Sequence, residues 1–413
     1  MKNWQRSSLE MCNVTQKAEC RAILSSCCGV TGEVILTDSA VILLFAAALG
    51  GGDALGLLSM SVLLMLNGLL ILPLAGLSVR FGSRKLVIGA NSLALCGYFL
   101  AASAPWWGGW GKGIMLAGIL LFSACQSGFL AGWFPFLEGF LLPERRSIFL
   151  GRMRFCHQLS AVAFLGLTGL FIGKTPPVGV LQAVLFIGGL IFAGRVLFIQ
   201  SIPVFPEVDR KGLPWLEGVR MAAGNRPLVR FSLYTLLLNL GLFSPVGVML
   251  LRLKTVYQMP ENELLLVSGA IIAGPAAGYA MAAVLERVFG KWKLLLLIHI
   301  LGLAALLGLL FVTPDVLSGK IVATFLLMVI TFVIAVNSVT AGAVMMSLAN
   351  PGNKSLAMAF WGCFYYGGGG LSRLLASLLA AGSVYHEKMP LWLSCGFITA
   401  AFIPFLLQRD FKG

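Results

Sequence analysis

Charge is what this 413-residue chain lacks most. Only 11% of its residues are Asp, Glu, Lys or Arg, while 58% are hydrophobic and the mean hydropathy is +0.92. An ordinary soluble protein carries about a quarter charged residues. Apolar runs of about twenty residues or more recur from end to end; a soluble core has nowhere to put so many, and each matches the ~30 Å hydrocarbon layer of a bilayer. Histidine is scarce: His157, His299 and His386 lie far apart in sequence. The nine cysteines, among them Cys12, Cys20 and the pair Cys27-Cys28, show no C-x-x-C or His-linked spacing. A disulfide framework and a metal site are therefore not expected, and no cofactor is implied. No nucleophile–histidine–acid set, metal-ligand cluster or phosphate loop supports an enzyme. No cleavable signal peptide is evident either.

What the chain has in excess is base, with a net charge of +14. Nucleic acid is not the implied partner, because the basic residues stand in small groups between apolar spans and form no single patch. The implied partner is lipid. Apolar length and interrupting charge predict twelve transmembrane helices, at about 22–50, 55–78, 86–104, 113–141, 153–173, 178–202, 230–251, 264–285, 294–313, 320–348, 355–382 and 391–408. Helices are required because lipid cannot satisfy free backbone groups and the alternation of a barrel is absent.

The basic residues also orient the chain. With both termini inside, twenty-two of the 30 fall in inner segments and six (Lys112, Lys174, Arg252, Lys254, Lys320 and Lys388) in outer ones. Arg195 and Arg373 fall within spans. Positive residues stay inside, so both termini are expected to be cytoplasmic, with the plasma membrane as the expected location. Asn13-Val14-Thr15 then lies on the wrong side to be a glycosylation acceptor. The expected organisation is a cytoplasmic segment 1–21, a six-helix bundle 22–202, a linker 203–229, a second six-helix bundle 230–408 and a tail 409–413. Within the linker, Leu213, Leu216 and Val219 suggest a short helix lying along the membrane, with a plain polar connection as the alternative.

The two halves share landmarks at one offset. Phe81-Gly82 and Phe289-Gly290 lie 208 positions apart, as do Lys85 and Lys293, and as do Pro143-Glu144-Arg145-Arg146-Ser147 and Pro351-Gly352-Asn353-Lys354-Ser355. Equivalent placement after equivalent helices argues for duplication of a six-helix unit. Parallel repeats of this kind are a transporter architecture, with the site between the halves near the midplane.

After the second span the chain reads Ala75-Gly76-Leu77-Ser78-Val79-Arg80-Phe81-Gly82-Ser83-Arg84-Lys85. This resembles the loop signature of the major facilitator superfamily, usually Gly-x-Leu-x-Asp-Arg-x-Gly-Arg-Arg/Lys. Leu77, Arg80, Gly82 and Arg84 match, whereas Ala75 and Val79 replace the first Gly and the Asp. A second copy, Leu285-Glu286-Arg287-Val288-Phe289-Gly290-Lys291, keeps an acidic–basic pair shifted by one residue. Glycine permits a tight turn there, and arginines suit the anionic cytoplasmic surface. The resemblance covers essentially the whole chain. In the family the Asp helps latch the halves together, a contact Val79 cannot make.

The resemblance implies a secondary transporter that moves a small solute by alternating access, with helices 1, 4, 7 and 10 lining the cavity. Polar residues there include Gln126, the pair Thr235 and Asn239, and Asn337 and Thr340. Such groups suit a hydroxylated or zwitterionic solute, although each alone more often joins helices. Trp133 and Tyr234 offer stacking surfaces or core packing. The family's antiporter signatures are not evident: Ala124-Cys125-Gln126-Ser127-Gly128 has no arginine, and Gly166, Gly169 and Gly173 no Gly-Pro pair. A transport-incompetent sensor or scaffold on the same fold is the rival reading.

Ionisable groups inside spans are costly and stand as functional candidates. Glu33 and Asp38 lead, pointing about 140° apart at ~100° per residue. Thr37 shares the side of Glu33. Glu33 is the favoured coupling carboxylate, with protons or Na+ as candidate ions; a structural hydrogen bond or an interfacial position is the alternative. Arg373 follows Gly367-Gly368-Gly369-Gly370 and lies on the face of Tyr366. It reads either as an anion-binding group beside a hinge or as an arginine paired with a carboxylate beside a packing surface. Arg195 is expected to snorkel to the surface. Glu138 and His157 are expected to pair, and His299 to be interfacial.

Overall fold

A computed structural model describes residues 2–141, 146–203, 214–313, 317–350, 354–381 and 388–407. It is all-helical. The elements are α1 (Lys2–Thr37), α2 (Ala40–Ala48), α3 (Gly52–Phe81), α4 (Ser83–Ala102), a 3-10 turn (Ala104–Trp110), α5 (Gly111–Glu138), α6 (Arg146–Phe171) and α7 (Val178–Ser201). There follow α8 (Trp215–Gly224), α9 (Arg226–Leu242), α10 (Ser244–Thr255), α11 (Glu261–Phe289), α12 (Lys291–Phe311), α13 (Leu317–Leu348), α14 (Lys354–Ala381) and α15 (Met389–Leu406). Among the described residues, 10 helical spans are long and apolar enough to cross a membrane. This is a polytopic membrane protein. Neither α6 nor α14 is among those spans. The first carries Arg152, Arg154, His157 and Gln158, the second the four glycines, Ser372 and Arg373, and both lower the hydropathy.

Two helices expected to be continuous are broken. The first begins at Lys2, ahead of the expected 22, and stops at Thr37 before α2 restarts at Ala40. Ser39 is extended there (φ −142°, ψ 169°) and its hydroxyl accepts from Val41 N at 3.3 Å, capping the new helix. The second break separates α9 from α10 at Phe243, where Pro245 stands in the first turn of α10. Proline lacks an N–H and suits a helix start.

The turns between α3 and α4 and between α11 and α12 are alike. Gly82 (φ 85°) and Gly290 (φ 73°) each end one helix and begin the next. Only glycine takes this left-handed conformation without steric cost, which accounts for its presence at both positions of the repeat. Of the other repeated motif, residues 143–145 and 351–353 lie outside the described residues, as do 204–213 and 408–413.

Helix packing is similar in the two parts of the chain. Helix α1 packs on α6 and α7, α5 on α3 and α4, and α4 on α7. Correspondingly, α9 packs on α14 and α15, α13 on α11 and α12, and α12 on α15. Two seams join the groups, α3 with α14 and α6 with α11. The α3–α14 seam is tight: a Cβ at Gly68 would lie 2.6 Å from Gly367 N, and one at Gly370 2.4 Å from Met65 N. Helix α14 runs unbroken through its glycines, and Gly368, Gly369 and Gly370 pack closely against α9 and α3. Helix α8 fills the linker region anticipated as helical, with Trp215 Nε1 donating to Leu72 O at 3.0 Å.

Candidate functional site

Both carboxylates of the first span meet arginines, on different helices. Asp38, in the break after α1, stands 2.7 Å from Arg373 Nη2 of α14. Arg373 also donates from Nη1 to Met60 O of α3 (3.0 Å) and from Nε to Phe243 O in the α9–α10 break (3.4 Å). One buried guanidinium thus touches α3 and both helix breaks. Of the two readings of Arg373, the paired one describes its environment.

Glu33, one turn earlier, stands 3.8 Å from Arg195 Nη1 of α7. Arg195 is 1% exposed, so it does not snorkel. Its guanidinium lies 4.2 Å from the Phe129 ring and 5.3 Å from the Phe192 ring, and Nη1 donates to Gln126 Oε1 at 3.1 Å. Aromatic faces, an amide and a carboxylate hold the charge inside more favourably than an apolar wall would, which is why it turns inward. Thr37, on the side of Glu33, donates to the Glu33 carbonyl at 2.8 Å, so its hydroxyl serves the helix backbone.

The uncharged candidates Thr235, Asn239, Asn337 and Thr340 are all buried. Asn239 Nδ2 donates to Tyr365 O at 2.9 Å, and Asn337 Nδ2 to Asn239 Oδ1 at 3.5 Å. Thr235 Oγ1 donates to Phe231 O (2.9 Å) and accepts from Trp361 Nε1 (3.2 Å). These bonds tie α9 to α14 and α13. Thr340 and Asn337 are fully buried, and Thr340 Oγ1 and Asn337 Oδ1 have no hydrogen-bond partner. Tyr366 is half-buried, its ring set edge-on to Tyr365 at 5.1 Å.

Other expectations need correction. His157 Nδ1 lies 2.9 Å from Ser26 Oγ, so its hydrogen bond goes to α1 and not to the expected Glu138. His299 is fully buried, with Nε2 2.8 Å from Ile398 O and its ring against Tyr234 and Phe402. A carbonyl and two aromatic rings enclose the imidazole there. Tyr234 and Trp133 are buried within aromatic clusters and present no open stacking face. Sequence reasoning missed Gly29, whose bare backbone receives Arg195, and Met60 and Phe243, which act through carbonyls. Backbone acceptors leave no trace in residue type. Among the described residues, no group of three or more His, Cys, Asp or Glu could hold a metal ion.

The loop motif splits into parts. Arg84 Nη1 donates to Ile202 O (2.7 Å) and Pro203 O (3.2 Å), and Nη2 to Gln200 O (3.1 Å). It neutralises the carbonyl end of α7, as does Arg21 through Ser201 O. Arg80 lies against Phe81, and Leu77 is exposed. In the second copy Glu286 faces Lys291 at 3.9 Å, across the Gly290 turn, while Arg287 is exposed.

Residues 23–373 match the Major Facilitator Superfamily. The chain belongs to that family. It is therefore a secondary transporter that moves a small solute across a membrane by alternating access, and not an enzyme. The fold agrees. The nucleoside transporter NupG superposes with a TM-score of 0.71 at 13% identity, covering 97% of this chain and 100% of that one. A bacterial homologue of the iron transporter ferroportin, in its outward-facing state, gives 0.65 at 13% identity, covering 96% and 99%. A variant of the E. coli fucose:proton symporter FucP gives 0.63 at 15% identity, covering 94% and 98%. No curated protein sequence matches the chain.

Proposed function

We propose that this transporter is built as two pseudo-symmetric six-helix bundles, 22–202 and 230–408, joined by the linker 203–229. Both termini are cytoplasmic, in the plasma membrane, and a small polar solute crosses between the bundles with protons coupled through Glu33. Two observations support the architecture: the helix pairings that recur in each half, and the Gly82 and Gly290 turns placed 208 positions apart. The excess of basic residues in the inner segments supports the orientation.

One observation carries the coupling reading. The Glu33 side chain is 29% exposed and sits 3.8 Å from Arg195 Nη1, within an apolar span. That distance exceeds a hydrogen bond, so an oxygen remains free to take and release a proton. Asp38 is less suited, because its 2.7 Å contact with Arg373 makes it a fastener. The half-buried Tyr366 lies within electrostatic reach of Glu33 and offers a hydroxyl and a ring. Such a surface suits a hydroxyl-bearing solute, the chemistry shared by the nucleoside and fucose named for two of the similar structures.

Uptake of radiolabelled nucleosides and of fucose into proteoliposomes tests this, with an imposed pH gradient, an imposed Na+ gradient, or neither. The pH gradient is expected to drive accumulation in the wild type, while Glu33→Gln still exchanges solute but no longer accumulates it. Uptake equally fast without a gradient in both proteins would remove the coupling scheme, and a response to Na+ alone would reassign the ion.

A further inference from the structure

We propose that Arg195 is the positioning residue of the coupling site, fixing Glu33 at ion-pair distance, and that the bare backbone of Gly29 is what lets it do so. This rests on the reading of Glu33 given above. Arg195 comes from α7, behind α1, and must pass the α1 surface to reach Glu33. It does so over Gly29: a Cβ there would lie 1.4 Å from Arg195 Nε and 1.9 Å from Cζ. No rotamer adjustment of an alanine methyl can accommodate that overlap, so any side chain at 29 displaces the guanidinium.

The charge balance points the same way. Arg195 is 1% exposed, and a buried guanidinium without a counter-charge is strongly destabilising. The phenylalanine rings and Gln126 supply partial compensation, while Arg195 Nε and Gln126 Nε2 have no hydrogen-bond partner. Glu33, when ionised, supplies the opposite charge. The other charged or titratable groups around Glu33 are spoken for or farther away. On α1 are Cys28 and, at its end, Asp38, whose charge is taken by Arg373 of α14. On α6, His157 is bonded to Ser26 and Arg154 lies over the Tyr279 ring of α11 at 5.1 Å; Tyr366 of α14 packs edge-on against Tyr365. Arg195 is the cation at ion-pair distance from Glu33.

A positive neighbour favours the ionised carboxylate, so losing or displacing it lets Glu33 hold its proton to higher pH. The arrangement therefore sets the pH at which the coupling site loads. It differs from mere structural support, because a purely structural arginine leaves that pH unchanged.

Infrared difference titration of the full chain in lipid nanodiscs reads this directly, with the proton as the probe and no solute needed. The wild type is expected to show a carboxylic-acid C=O band that grows as pH falls and is absent in Glu33→Gln. In Arg195→Gln and in Gly29→Ala the midpoint of that band rises by about one pH unit or more. Arg195→Lys, which keeps the charge, returns it toward the wild type, and Gly89→Ala, where a Cβ meets open space, leaves it unchanged. Should Arg195→Gln not fold, Gly29→Ala and Arg195→Lys carry the comparison. If Glu33→Gln removes the band but Arg195→Gln and Gly29→Ala titrate like the wild type, the positioning role is wrong and the coupling reading stands. If Glu33→Gln removes no band, the coupling reading fails first.

Discussion

The two arginine–carboxylate pairs anchored on the first span are built differently. Asp38 and Arg373 make a short contact, 2.7 Å, between the first half of the chain and α14, and the same arginine holds backbone carbonyls of α3 and of the α9–α10 break. Glu33 and Arg195 stand farther apart, 3.8 Å, both within the first half, with an amide and two rings completing the arginine's surroundings. A short pair with additional backbone bonds resists separation. A loose pair without such bonds is easier to perturb by a proton. One helix thus carries a fastener and an exchangeable group five residues apart.

The sharpest way to break the comparison is to remove each acid in turn. Asp38→Asn strands a guanidinium whose side chain is only 6% exposed. Breaking a buried pair costs about 3–5 kcal/mol; the exposure of Asp38 and the surviving carbonyl bonds reduce this to about 2–3 kcal/mol. Glu33→Gln is expected to cost about 1 kcal/mol, since Gln126 and the rings still attend Arg195. Chemical unfolding in mixed micelles measures both, and equal losses would erase the distinction between fastener and exchange site.

The seam beside the fastener gives the next effect. Gly68→Ala places a methyl 2.6 Å from the backbone of Gly367 and is expected to cost about 2 kcal/mol by forcing α3 and α14 apart. Gly367→Ala meets nothing within 4 Å and is expected to be neutral or to stabilise by up to ~1 kcal/mol, as alanine favours the helix. If both behave alike in the same unfolding assay, the seam is not held by close backbone approach. The smallest effect sharpens the contrast with ordinary joints within one half. Thr235→Val removes the acceptor of Trp361 Nε1 and is expected to cost about 1 kcal/mol, with no change in the pH response of transport.

Sequence reading reached the helices and the two glycine turns because both are written in local composition. Apolar length marks a span wherever it occurs, and Gly82 and Gly290 mark turns that only glycine makes cheaply. It reached Glu33, Asp38, Arg195 and Arg373 as candidates because a charge in lipid is conspicuous. It did not pair them. Arg195 read as a snorkelling cation because nothing near it in sequence announces Phe129, Gln126 or Gly29, which arrive from α5 and α1. Asn239, Asn337 and Thr340 read as cavity residues from their helix numbers, yet their side chains are buried between α9, α13 and α14. The breaks at Ser39 and Phe243 were hidden inside hydrophobic runs, where residue type says little about backbone continuity.

By itself, then, the sequence determined that this chain lives in a bilayer, is helical and belongs with the major facilitators. Each follows from a property that a residue carries wherever it sits, such as apolarity, charge or the freedom of glycine. Which charge meets which, and which polar group is buried, the tertiary structure decided. Those outcomes depend on distances between helices far apart in the chain, down to the space that one missing methyl group at Gly29 leaves for an arginine.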